Sequence, residues 1–323
     1  MFRRLSTLLI ATAVTLAGTT APADPGNGEG VGHVNMFGKG NPFTIDELPP
    51  GRTRSKLESL PGPAQRRAME WLHRFSFPAE DLDSMIIDDE GGVLYVDPVP
   101  PASDDEEKAP GANSGLPGPN ASAAADAFYL HSRPGAPHVV HLDFDGHTFS
   151  GTIWSSGTIQ ARPFDLDGSP STFSAAERSA IAEIWHRVSE DFAAFDIDVT
   201  TEEPASFGPY TGRVLITSKT DANGSAMPYN TGGGVAYVSV WGLSDYASYR
   251  SPALVYYDNL AKGTTYIAEA SAHEFGHNLG LSHDGTSGVT YYAGHGSGMT
   301  SWAPIMGNSY YNNVTQWSNG EYA

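Results

Sequence analysis

Residues 273 to 284 read His273-Glu274-Phe275-Gly276-His277-Asn278-Leu279-Gly280-Leu281-Ser282-His283-Asp284. His273 and His277 are one helical turn apart, so on a helix both imidazoles point the same way and can chelate one ion. Glu274 lies about 100° further round the helix, which sets its carboxylate beside the ion as a proton acceptor rather than on it as a ligand. A helix continued unbroken would carry His283 about 240° beyond His277 and away from the metal. The helix must therefore break, and Gly280 can adopt the left-handed conformation that ends a helix and turns the chain back. Three neutral imidazoles with one position left open describe a catalytic zinc site, with Glu274 as the base that activates water.

Outward from this stretch, periodicity sets the surrounding elements. A helix is predicted from about Thr265 to Leu279. Before it, short apolar runs at His138 to Phe144, Ile197 to Thr201, Arg213 to Thr217, Val235 to Trp241 and Ala253 to Tyr257 read as strands. A loop rich in Gly, Asp and Pro runs to Pro170, and Ser174 with Glu177 forms a capping box opening a helix that ends near Phe195. The pattern implies an α/β (α+β) domain over 137–323.

Further toward the N-terminus, Met-Phe-Arg-Arg, an apolar run from Leu5 to Gly18 and Ala21-Pro22-Ala23 form the pattern of a secretory signal over 1–23. The run is shorter than the roughly 20 residues that span a bilayer. The expected product is secreted. Leu57, Leu60, Ala64, Ala68, Trp71, Leu72 and Phe75 suit one or two helices interrupted by Pro61 and Pro63, and Gly91 to Val96 reads as a strand. Residues 24–97 therefore read as a small folded unit, a propeptide by its place. Residues 98–136 are rich in Pro, Ala, Gly and Ser with an acidic run from Asp104 to Glu107, and read as a disordered linker.

Composition narrows the chemistry. The 323 residues contain no cysteine, which removes disulfides and thiolate ligands and leaves His, Asp and Glu to hold a metal. A formal charge of -19 opposes binding to nucleic acid or an anionic membrane. Two weaker patterns read as structure. His141, Asp143, Asp145 and His147 fit a strand end better than a second metal site. Asp165-Leu166-Asp167-Gly168 echoes a calcium loop but lacks its later ligands, so structural calcium is left unsupported beside a simple turn.

The motif His273, Glu274, His277, Gly280, His283 resembles the extended zinc motif of the metzincin metallopeptidases, and Asp284 with Gly276 to Gly280 is most similar to the adamalysin or reprolysin branch. Without cysteines the chain looks like a bacterial-type member. The resemblance implies one catalytic Zn²⁺ on His273, His277 and His283, with Glu274 as base and Gly280 and Asp284 in support. It further implies a Met-turn at Ala303 to Gly307 with Met306 beneath the metal. It implies a mostly parallel twisted sheet carrying an antiparallel edge strand, Val235, Ala236, Tyr237 and Val238, that binds extended protein or peptide substrates. A family-type C-terminal helix would begin within Val314 to Tyr322, so the domain reads as short at its C-terminus. Latency could not use a cysteine here; an acidic residue on the zinc or steric cover would have to serve. Two other readings keep the motif: a non-catalytic binder on the same fold, and a zinc hydrolase acting on a non-peptide substrate.

Overall fold

The computed structural model describes residues 35–99, 124–286 and 288–317. The predicted signal segment and residues 100–123 of the predicted linker lie outside them. In chain order the first part carries β1 (Met36–Gly38), α1 (Arg52–Ser59), α2 (Gly62–Leu72), β2 (Ser76–Pro78), β3 (Met85–Ile87) and β4 (Val93–Asp97). The second carries β5 (His138–Asp143), β6 (Thr148–Thr152), β7 (Ser155–Gln160), α3 (Ala175–Asp191), β8 (Ile197–Thr200), β9 (Thr211–Thr217), β10 (Gly234–Tyr237) and β11 (Ala253–Tyr256). It continues with α4 (Thr264–Leu279), β12 (Trp302–Pro304) and β13 (Val314–Gln316).

Seven strands form the main sheet, in the order β3-β4-β10-β11-β9-β5-β8. β8, β5, β9 and β11 pair in parallel, and β10 joins antiparallel to β11, as the predicted sheet requires. β4 then pairs antiparallel with β10, and β3 with β4. The predicted substrate edge strand is therefore not an edge in this structure: the chain's own N-terminal part covers it.

Alternation along the strands divides the core into two faces. Val214, Ile216, Val255 and Ala236 bury against α3 and α4, together with Ile181, Ile184, Val188, Ile267 and Phe275. Leu215, Leu254, Tyr256, Val235 and Tyr237 bury on the other face against Leu57, Leu72, Trp71, Phe77 and Tyr95. Residues 35–97 thus share one core with the sheet, and the Trp71 indole donates to the Val238 carbonyl at 2.7 Å. Ser174 and Glu177 close the capping box of α3, with Glu177 Oε2 accepting from the Ser174 amide at 2.7 Å. In α4 every residue from Ile267 to Asn278 is buried, which the small side chains of Ala268, Ala270, Ser271, Ala272 and Gly276 permit.

Three segments differ from their sequence reading. The predicted disordered linker is ordered from residue 124 onward. Ala127 and Leu130 are buried there, and the chain runs beside β8 through Ser132 N to Val199 O (3.0 Å) and Thr201 N to Leu130 O (3.0 Å). A few anchors suffice where a strand edge is open to pair. The loop expected before Pro170 contains the hairpin of β6 and β7, whose Phe149 and Ile159 pack on the N-terminal face of the sheet. Val314 does not open a helix: β13 pairs in parallel with β12, and residues 318–323 lie outside the described ones.

Candidate metal centre

The three histidines converge because α4 stops where it does. Gly280 takes φ 100°, and the turn is closed by Gly280 N to His277 O (2.9 Å) and Leu281 N to Gly276 O (3.0 Å). The chain then doubles back, so that the Leu281 carbonyl accepts a hydrogen bond from His277 Nδ1 at 2.9 Å. The Ile305 carbonyl likewise accepts from His273 Nδ1 at 2.7 Å. The ring centroids of His273, His277 and His283 lie 4.8, 4.9 and 5.4 Å apart. The loop after β10 fixes the end of the helix, with Ser239 N donating to His277 O at 2.8 Å and Asn278 Nδ2 donating to Tyr237 O at 2.9 Å.

A fourth group completes the cluster. Asp97, the last residue of β4, sets its carboxylate against all three imidazoles: Oδ1 lies 2.9 Å from His283 Nε2 and 3.4 Å from His273 Nε2, and Oδ2 lies 3.2 Å from His277 Nε2. The ligand atoms of the four residues fall within 4.8 Å of one another, and all four side chains are buried. Burial opposes the charge on Asp97, but His273, His283 and His277 outweigh it and hold the carboxyl well below the ordinary range. Burial pushes His277 down to about 4; His283, which burial also disfavours, is held up at about 9 by Asp97 and Asp81.

The donor set fits zinc. A carbonyl can only accept, so the Nδ1 atoms of His273 and His277 carry the protons and a neutral ring leaves a lone pair on Nε2. Those lone pairs face a carboxylate, which is also an acceptor, and His273 Nε2 is buried without a hydrogen-bond partner. Acceptors that converge at this range are reconciled by a cation between them, and three imidazoles with one carboxylate suit Zn²⁺.

Glu274 stands beside this cluster. Both its carboxyl oxygens are buried without a hydrogen-bond donor, and burial, reinforced by Asp97, pushes the group well above the ordinary carboxylate range. The space it occupies depends on β10, because a Cβ at Gly234 would collide with the Glu274 carboxyl oxygen. Beneath the helix a Cβ at Gly276 would lie 2.5 Å from the sulfur of Met306, so this buried methionine packs directly under the turn between the two helical histidines. Asp284 sits just outside: its amide donates to Met306 O at 2.8 Å, and burial pushes its carboxyl up to about 6.

Several neighbours had no sequence signal. Asp81 Oδ1 lies 3.3 Å from His283 Nδ1, while Oδ2 accepts from the His283 amide (3.1 Å) and the Tyr95 hydroxyl (2.9 Å). A carboxylate behind a metal-facing imidazole fixes its tautomer and orientation. The Tyr291 hydroxyl donates to Asp97 Oδ1 at 2.8 Å. Asp97 and Asp81 stand too far from the motif in sequence for spacing to reveal them, and Tyr291, seven residues after Asp284, lies in a loop with no periodicity to mark it.

The other singled-out residues are structural. Asp143 is buried against Arg213 on the N-terminal face of the sheet, with burial outweighing that cation to push its carboxyl up to about 7. His141 and His147 are pushed down to about 3 and about 4, burial being the main cause. Asp165, Asp167 and Glu177 do cluster, but their oxygens accept the amides of Gly168, Ser169 and Leu166, which makes the two aspartates the turn before α3 and ties that turn to Glu177 in the first turn of the helix.

Helix, glycine turn and converging imidazoles form a candidate metal centre that resembles the one expected from the extended zinc motif. Residues 213–284, which run from β9 through β10, β11 and α4 to His283 and Asp284, match the model of metallo-peptidase family M12B, reprolysin-like. That match supports a zinc metallopeptidase of the reprolysin-like kind. No curated protein and no solved structure matches the chain significantly.

Proposed function

We propose that this chain is a secreted zinc endopeptidase in which His273, His277 and His283 hold the metal and Glu274 is the catalytic base. The observation that carries it is the pinning of two imidazoles by backbone carbonyls, so that their free nitrogens converge with His283 beside a buried, donor-less carboxyl. Zinc there supplies Lewis acidity toward water and a substrate carbonyl. Glu274 takes the proton of the attacking water and returns it to the departing amine, a role suited to a base whose affinity for protons is raised. Met306 and Gly280 position the histidines, one by packing and one by the turn. Val235 to Val238 supply main-chain groups to an extended peptide once β4 is displaced. Export rests on the leader pattern of residues 1–23, and a propeptide role for 24–97 on its place before the hydrolase domain.

The test is hydrolysis of casein by the chain cut between β4 and β5, beside the same preparation of Glu274→Gln. Removing the base is expected to lower the rate by about 10²-fold to 10⁴-fold while zinc stays bound. Equal rates would refute the role of Glu274. Stoichiometric zinc with no hydrolysis by either protein, even after Asp97→Ala has been added to free the histidines, would favour the binding-only reading.

A further inference from the structure

The three imidazoles are not held alike. Nδ1 of His273 and Nδ1 of His277 each donate to a carbonyl of the C-terminal half, Ile305 O and Leu281 O. Nδ1 of His283 meets side chains of the N-terminal part instead: Asp81 Oδ1 and Ser84 Oγ each lie 3.3 Å away. Asp81 is fully buried, and its Oδ1 has no hydrogen-bond donor, while Oδ2 accepts from the His283 amide at 3.1 Å and from the Tyr95 hydroxyl at 2.9 Å. The chain beyond His283 rests on the same turn, the Thr290 hydroxyl donating to Glu80 O at 3.1 Å and the Gly288 amide to Glu80 Oε1 at 3.4 Å.

We propose that Asp81 is a positioning residue for the third metal ligand, so that the N-terminal segment sets how tightly the centre holds its metal. This deepens the zinc-peptidase reading and rests on it. A buried carboxylate oxygen without a donor favours a proton on the ring nitrogen beside it, His283 Nδ1. That tautomer leaves the Nε2 lone pair of His283 free toward the cluster, and the carboxylate behind the ring raises its basicity as a ligand. Loss of such an outer partner lowers metal affinity by about 10-fold to 100-fold.

Asp81 can serve this way because the turn that carries it is fixed. Ala79–Asp83 form a short 3-10 turn ahead of β3, with Leu82 buried in the core. The Thr53 hydroxyl donates to Leu82 O at 2.6 Å and the Arg52 guanidinium to Asp83 O at 2.6 Å, which ties the turn to α1. Were the N-terminal segment to leave, His273 and His277 would keep their outer partners and His283 would lose its own. The chain with the segment docked therefore holds metal more tightly than the chain without it, and the metal is best loaded before the segment departs.

The test is the zinc affinity of the full-length chain, measured by competition with a chromophoric chelator, together with the visible spectrum of the chain loaded with cobalt(II). Asp81→Asn keeps the shape of the side chain but not its charge, and is expected to bind zinc about 10-fold or more weakly than wild type and to shift the cobalt band. Tyr95→Phe removes the hydroxyl on Oδ2 and leaves Oδ1 beside His283, so it is expected to match wild type in both. A merely structural role would move the two variants alike. If Asp81→Asn does not fold, Asp81→Ala combined with Tyr95→Phe carries the test against Tyr95→Phe alone, since the double change leaves no tyrosine hydroxyl unpaired. An Asp81→Asn chain with the zinc affinity or the cobalt band of wild type, or Tyr95→Phe weakened as far as Asp81→Asn, would overturn the inference and leave the peptidase reading standing. Wild type that binds zinc no better than His277→Ala would instead refute the metal centre itself.

Discussion

Glu274 has room beside the metal cluster because residue 234, on a different element, has no side chain. Gly234→Ala is therefore expected to force the carboxyl aside, costing about 1–3 kcal/mol by overpacking. The misplaced base is expected to lower kcat of the opened enzyme by about 10²-fold. Urea unfolding and peptide hydrolysis together check this, and an alanine variant matching wild type in both would show that the space is not needed. The spacing of His273, His277 and Gly280 made the ligands and the break legible, since both follow from helical geometry and one left-handed residue. Gly234, Asp81 and Asp97 were not legible because they meet the motif through sheet register and a distant strand end. Arg213 shows the same limit: its position in β9 gives no hint that it neutralises Asp143 in β5.

Between α3 and α4 lies an electrostatic conflict that the sequence pattern of either helix does not show. Asp191 closes α3 and is pushed well above the ordinary carboxylate range by burial first, then by Glu269 of α4 and by Glu190, with Arg187 only partly offsetting them. A carboxyl whose folded-state pKa exceeds its unfolded value binds more protons when folded. Stability is then fully retained below about pH 3.9 and falls as pH rises through the folded-state value. Asp191→Asn removes that loss. The variant is expected to melt at a higher temperature than wild type at pH 8, with the gap closing toward pH 4. Scanning calorimetry of both proteins checks it, and a gap that widened on acidification would contradict the sign. Elements with strong local signals were legible, such as the capped α3 and the turn-terminated α4. The β6–β7 hairpin was not, because its Ser, Thr and Gly residues leave too little alternation to mark a strand.

On the scale of the whole molecule, the five strands β5, β8, β9, β10 and β11 and the two helices were predictable in chain order, and the antiparallel turn of β10 followed from the family resemblance, whereas the sheet order β8-β5-β9-β11-β10 was not predictable from the sequence. The role of residues 35–97 in the sheet was not. A shift to Pro, Ala, Gly and Ser after Asp97 marks a boundary in composition, yet the apolar faces on either side of it bury each other. Composition shows where apolar surface is scarce and not which surfaces meet. The same blindness hid the order of residues 124–136, where burial of Ala127 and Leu130 and pairing beside β8 outweigh an unpromising composition. The parts therefore converge on one centre, shared between an N-terminal segment that supplies Asp97 and Asp81 and a C-terminal half that supplies the histidines and Glu274. Metal analysis of the purified full chain by mass spectrometry tests that centre most directly. One zinc per chain, retained in Glu274→Gln and lost in His277→Ala, is the expected result; a folded wild-type chain holding no more zinc than His277→Ala would contradict it.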